Sequence, residues 1–259
     1  KLYDDFSRRT IVPTIDTISK SINNFNEENY AFIKHCLVNG KQKNSTAEVI
    51  VHEIRNGNHF EWVAKFYEDG LLSTAEMDMR FKDGEWPLLE LLSAWVKIDD
   101  ERAQNAATRF LQSITVQQKR ALSKQHTTIN KNIVEIIFAL DKSHIKAKYI
   151  DLVRKVVGNN HSFYYELYHI ENFERIMQWN VNHIRKLLDL IFWKVDFEEY
   201  HDNQSYFIGQ FFKKFNYAIK SERIARLVFN YFTEIIKRES KENYVLFMEI
   251  HDLDNIYKN

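Results

Sequence analysis

Apolar residues recur along this chain at helical spacing. Ile224, Leu227, Val228, Tyr231, Phe232, Ile235 and Ile236 follow one another in alternating steps of three and one. That stripe predicts a helix over Ser221–Arg238 with one buried face. Ser221 can cap it, Glu222 suits its first turn, and Lys237 and Arg238 suit its last. A second helix is expected from Ser143, with Ile145, Tyr149, Leu152, Val153 and Val156 on its apolar side and Gly158 as a stop. Each of these is preceded by another stripe: Ile133, Val134, Ile136, Ile137 and Leu140 before the one, and Phe207, Ile208, Phe211, Phe212, Phe215 and Ile219 before the other. Links of two to four residues make the partners antiparallel, so each pair reads as a helical hairpin. The two hairpins are offset by 78 residues, with Lys142-Ser143 aligned on Lys220-Ser221. An offset near twice a roughly 40-residue unit is what a helical-pair repeat produces.

The remaining chain parses the same way. Helices are expected at Thr14–Asn23, Glu27–Val38, Thr46–Arg55, His59–Asp69, Pro87–Ile98, Glu101–Ile114 and Val116–Lys124, then at Ser162–His169, Phe173–Trp179, Val181–Trp193 and Glu242–Leu253. Pro87 fits a first helical turn, and Asp99 or Asp100 can cap the helix at Glu101. The charged stretch from Gly70 to Trp86 is the best candidate for a long loop. Composition supports the pattern: six Gly and two Pro in 259 residues are about 3%, against an average near 12%. Sheet proteins need such residues at their many turns, whereas helices need few breakers. The expected fold is all-α: antiparallel helical hairpins stacked as an α-solenoid, in a single domain over residues 1–259. The chain opens at Lys1, so it is expected to be a piece or one domain of a longer polypeptide. One Cys excludes an internal disulfide framework, and neither a membrane-spanning apolar run nor a signal peptide is present, so a cytoplasmic location is expected.

Between His59 and Ser93 the chain reads HFEWVAKFYEDGLL, a polar loop, and EWPLLELLSAWVK, followed by a helix from Glu101 and the segment INKNIVEIIFALDKSHIKAKYIDLVRKVV. Over about 110 residues this layout resembles the HEAT-like helical repeats of large, poorly characterised bacterial proteins. Trp62, Phe66, Trp86, Pro87, Leu88, Leu92, Asn130 and Ile133 carry the likeness. The resemblance implies a scaffold beside an enzymatic or nucleotide-binding domain, sometimes in defence systems. In that group the matching positions are structural, so no catalytic residue is implied.

The zero net charge hides a segregation. Residues 24–101 hold 8 basic and 15 acidic residues, whereas 102–155 hold 11 basic and 3 acidic; 156–212 are net −4 and 213–226 net +4. Such blocks read first as solvated faces that attract one another along a stack. They read second as an anion-binding groove, because equivalent helices of a solenoid line one face. Lys124, Lys131, Lys142, Lys146 and Arg154 are the candidate binding residues for an anion or acidic partner; Lys142, Lys146 and Arg154 at i, i+4 and i+12 share roughly one helical face.

Candidate chemistry is sparse. Glu166…His169 and Glu198…His201 could each place two metal ligands on one helix face, as di-iron carboxylate bundles do, yet they lie only 32 residues apart among short helices. His201-Asp202 and His251-Asp252 resemble ligand pairs of helical phosphohydrolases, which also need a separate upstream His and a distant Asp; His169 and His183 could be asked to serve, at undiagnostic spacing. Cys36 beside His35 points about 100° away from it on a helix and reads as a small buried apolar residue. Gly-rich phosphate loops, Gly-x-Ser-x-Gly and Cys-x-x-Cys are absent. The cluster Phe163, Tyr164, Tyr165 and Tyr168 with Phe173 and Trp179 reads as packing, as do Trp62, Trp86 and Trp95. No catalytic residue, metal site or cofactor is therefore assigned. The expected role is a non-enzymatic protein-interaction scaffold that can be attached to an effector or NTPase domain. The alternatives are a nucleic-acid-binding repeat using residues 119–155 and, behind it, a helical metalloenzyme.

Overall fold

The structure, a computed structural model, describes residues 14–39, 43–77, 85–98, 100–122, 128–157 and 178–188, and a few positions between 222 and 233. The predicted helices Ser162–His169 and Glu242–Leu253, all of Phe173–Trp179 but its last two residues, most of Ser221–Arg238 and the stripe from Phe207 to Ile219 lie outside the described residues. Helix is the only regular secondary structure among the described residues, so the all-α expectation holds. The chain divides after Leu140 into two compact units, each described by itself below.

The first unit carries α1 (Ile15–Ile22), α2 (Glu27–Asn39), α3 (Lys43–Gly57), α4 (Phe60–Glu68), α5 (Pro87–Val96), α6 (Glu101–Ser113), α7 (Val116–Leu122) and α8 (Thr128–Ala139). Local chemistry starts several of them. Thr14 accepts from Thr17 N at the head of α1, Asn26 Oδ1 from Asn29 N ahead of α2, and Asp100 from Arg102 N ahead of α6. Thr115 and Gln118 form a reciprocal capping box on α7, at 2.9 and 3.2 Å. Two stops are equally legible. Asn58 (φ 55°) follows α3, with His59 N donating to Ile54 O and Asn58 N to Arg55 O. Gly70 (φ 79°) repeats the pattern after α4, with Leu71 N on Phe66 O and Gly70 N on Tyr67 O. Both are Schellman motifs, which need a left-handed residue that Asn and Gly adopt most readily.

Packing follows a ladder. α1 touches α3, α3 touches α5, and α5 touches α8, while α4 touches α6 in a second row. Consecutive helices from α1 to α6 are the rungs. Side chains also join α2 to α4, where the rings of Tyr30, Trp62 and Phe66 lie 5.9–6.1 Å apart. α5 is the hub: seven of its ten residues are buried, so the helix is apolar nearly all round, as a helix with neighbours on every side must be. Ten of the side-chain bonds between described segments of this unit span a near-constant distance in sequence. They run from 35 residues, as in Tyr30 Oη to Lys65 O or Arg55 to Glu90, up to 44, in Gln118 Nε2 to Thr74 O. Several of these bonds satisfy carbonyls at helix ends, which have no partner within the helix. Trp62 Nε1 donates to Ile22 O, and Gln104 Nε2 donates to both Val96 O and Ala139 O. Asn130 Nδ2 serves Leu122 O in the same way within eight residues.

The second unit shows α9 (Ala147–Val157) packed against α10 (Val181–Leu188). Ile145, Tyr149, Ile150, Leu152, Val153 and Val156 are buried on one side, and Trp179, Ile184 and Leu187 on the other. Boundaries differ from the sequence reading in three places. α3 begins at Lys43, three residues before Thr46. Thr74–Met77 form a helical turn inside the expected loop. Helix α9 begins at Ala147 rather than near Ser143, because Asp141 Oδ1 accepts from the backbone N–H of Ser143 and of His144. Those bonds fold residues 141–144 into an Asx turn that competes with a helical start.

Candidate functional site

The five cations singled out from the sequence fall on both units. Lys124 lies outside the described residues. Lys131 is exposed on α8 of the first unit. Lys142 and Lys146 are exposed in the second unit, but in the turn and link that precede α9, so a common helical register does not relate them to Arg154. Arg154 does stand on α9, 3.7 Å from Asp151 one turn back. The exposed positions of α9 are Ala147, Lys148, Asp151, Arg154 and Lys155, a single stripe at i, i+1, i+4, i+7 and i+8. Lys148 Nζ also sits 5.3 Å above the Tyr149 ring.

The neighbouring helix contributes what sequence reasoning missed. Arg185 and Lys186 are exposed in the last turn of α10. They were passed over because residues 156–212 are acidic in total. Residue-by-residue assignment to the polar face of the Val181–Trp193 helix would have found them, since Ile184 and Leu187 fix the buried side. The described part of this unit exposes nine cations, Arg223 and Arg226 among them, against Asp141, Asp151 and Glu222.

A second charged cluster joins α2 to α4. Asp69 Oδ2 meets Lys34 Nζ at 2.5 Å and Asp69 Oδ1 meets Lys65 Nζ at 3.3 Å, while both ammonium groups lie 5.5–6.0 Å from the Tyr30 ring centre. Hydrogen bonds from Lys34 first, then Tyr30 and Lys65, hold the Asp69 carboxyl down to about 2. Burial, then the adjacent Asp69 carboxylate, pushes the Tyr30 phenol well above its usual range. An acid whose folded pKa is depressed stabilises the fold above its unfolded value, here 3.8, and that contribution vanishes as pH falls through about 2. Asp69→Asn should therefore lower stability at neutral pH by up to about 1 kcal/mol, as exposed pairs do. In urea melts followed by circular dichroism, the gap from the parent protein should close as the pH approaches 2.

Two of the groups weighed for chemistry, Cys36 and His183, are described. Cys36 is buried, and burial pushes its thiol up to about 11, leaving it protonated at neutral pH. His183 Nδ1 is buried without a hydrogen-bond partner among the described residues; burial, then Lys186, lowers its pKa and favours the neutral ring. Among the described residues no three His, Cys, Asp or Glu side chains cluster as metal ligands. Glu166, His169, Glu198, His201, Asp202, His251 and Asp252 lie outside them. Trp62, Trp86 and Trp95 are buried, as are Phe66, Leu88, Leu92, Asn130 and Ile133. No described helix is long and apolar enough to cross a membrane. Compared with known protein families, curated proteins and solved structures, the chain shows no match.

Proposed function

We propose that this chain is a non-enzymatic protein-interaction scaffold, built from HEAT-like antiparallel helical hairpins stacked as an α-solenoid in the cytoplasm. The observation that supports this reading is the recurrence of inter-helix side-chain bonds at 35–44 residues in the first unit. One hairpin of two amphipathic helices occupies that length, and a bond from each hairpin to the next repeats at that interval. The serial rows α1, α3, α5, α8 and α4, α6 fit the same scheme. A hairpin so placed buries its apolar face against its neighbours and leaves its outer positions for a partner. Val38 of α2 and Val116 of α7, 42% and 66% exposed, are apolar residues at such positions.

Native-state hydrogen exchange on the protein and on its Trp62→Ala variant tests the stacking. Nearest-neighbour coupling expects protection to fall in α1–α4 and to persist in α8. A uniform loss through α8 would overturn it. Exchange repeated with a co-purified protein partner tests the scaffold role. New protection at exposed positions of the first unit that survives about 0.5 M salt is expected, because apolar contacts are not screened by ions. Protection that salt abolishes would oppose the reading.

A further inference from the structure

We propose that the ion pairs Lys34–Asp69, Arg55–Glu90 and Lys97–Glu135 are clasps that make the coupling between helices of the first unit respond to ionic strength. Placement is the first support. Lys34 Nζ on α2 lies 2.5 Å from Asp69 Oδ2, at the end of α4. Arg55 on α3 is bonded to Glu90 on α5. Lys97 Nζ, at the end of α5, lies 3.4 Å from Glu135 Oε2 on α8. Each clasp joins two different helices, and two of the three hold α5, the hub of the unit. In each, the cation comes first in the chain and the acid follows 35 or 38 residues later. The pairs Lys20–Asp16, Lys65–Asp69 and Arg102–Asp100 span four residues or fewer, so they steady one helix or its end and not a join between helices.

Exposure is the second support, and it ranks the clasps. The paired side chains are 50% and 40% exposed in Arg55–Glu90, 39% and 22% in Lys34–Asp69, and 29% and 21% in Lys97–Glu135. All three are partly desolvated, which strengthens the attraction, and all three are open enough for ions to screen. The apolar contacts beneath them carry no charge to screen: Ile50, Val51 and Ile54 of α3, Leu88, Leu91 and Leu92 of α5, and Ile133, Ile136 and Ile137 of α8 are buried. Rising salt therefore weakens the clasps and leaves the core in place, so the joins between helices loosen while the helices persist. Arg55–Glu90, the most open pair, yields first, and with it the join of α3 to α5. Lys97–Glu135 yields last, because it is the most covered and because Ser93 Oγ, itself buried, donates to the same Glu135 oxygen at 2.9 Å.

Double-mutant cycles, read by native-state hydrogen exchange of the full chain in sodium chloride, test the proposal. A cycle is needed because Arg55 also complements the last turn of α3 and Glu90 the first turn of α5, and the cycle cancels those single-residue effects. For R55Q, E90Q and R55Q/E90Q, amide protection in α3 and α5 should show a coupling of about two- to fivefold at 25 mM salt. At 1 M salt, where the Debye length is about 3 Å, the coupling should fall below about 1.5-fold. The K34Q/D69N cycle should lose its coupling at higher salt than R55Q/E90Q, and K97Q/E135Q at the highest salt of the three. D16N/K20Q, on the pair internal to α1, should leave α3 and α5 within twofold of the parent at either salt. Circular dichroism of each variant establishes that the helices persist. An Arg55–Glu90 coupling below about 1.5-fold at 25 mM salt would overturn the proposal. So would a coupling that 1 M salt leaves unchanged, since that result makes the contact structural and not ionic. The reverse order of salt sensitivity among the three cycles would equally remove exposure as the property that ranks them. The clasps rest on these ion pairs and not on the scaffold reading, so either can fail without the other.

Discussion

Replacing Trp62 with alanine is expected to lower the stability of the first unit by about 3–5 kcal/mol, the range for deleting a large aromatic residue from a core. Trp62 is fully buried. Its ring lies 5.0 Å from Phe25, 6.0 Å from Tyr30 and 6.1 Å from Phe66, so it joins α4 to α2 and to the turn that follows α1. Its indole N–H donates to Ile22 O, the last residue of α1, across 40 residues of sequence. Alanine removes the packing and also orphans that carbonyl. Trp62→Phe separates the two effects: it keeps most of the apolar volume and should lose only about 1–3 kcal/mol, the cost of an unsatisfied buried acceptor. Urea unfolding followed by circular dichroism measures both. A loss below 1 kcal/mol for the alanine variant would show that Trp62 does not hold the layers together.

Gln104→Leu should cost about 2–4 kcal/mol, although leucine is close in size and better suited to an apolar core. Gln104 is buried on α6, and its amide nitrogen donates to Val96 O at 3.1 Å and to Ala139 O at 3.2 Å. One side chain thereby satisfies the final carbonyls of α5 and α8, two helices of the same row. Leucine removes this donor from both acceptors, at about 1–3 kcal/mol for each buried bond lost. Gln104→Glu should be worse at neutral pH, because a carboxylate would face two carbonyl oxygens without a counter-charge. Thermal unfolding of the three proteins measures the order. A Gln104→Leu variant as stable as the parent would mean that other donors reach these carbonyls once the amide is gone.

Neither residue could have been weighted this way by periodicity. Gln104 is polar, and a polar position within the ERAQNAATRF stretch of α6 reads as surface until the carbonyls of α5 and α8 are brought to it. Trp62 reads as core from its spacing to Phe66, but its bond to Ile22 O depends on the next hairpin stacking in register. Element type was the legible part. Steps of three and one placed most of the described helices within a few residues, because burying one face of a 3.6-residue helix writes that period into the chain. Starts were less legible where a side chain offers the backbone another partner, as Asp141 does ahead of α9.

The exposed cations of α9 and α10 were half legible in the sequence. Segment totals drew attention to residues 102–155 and away from 156–212, because net charge averages over both faces of every helix. Burial separates those faces. It joins Lys148, Arg154 and Lys155 on α9, adds Arg185 and Lys186 from an acidic stretch, and removes the helical relation of Lys142 and Lys146 to Arg154.

By itself the sequence determined that this chain is helical, that its helices are short and amphipathic, and which residues face inward. These are local consequences of spacing, capping and the scarcity of Gly and Pro. Tertiary structure alone decided which helix ends meet, that their side chains bond at intervals of 35–44 residues, and which cations of the described helices are exposed. Those properties arise between segments far apart in the chain, where the free carbonyl of one helix and the donor of another come within 3 Å or so only after both have packed.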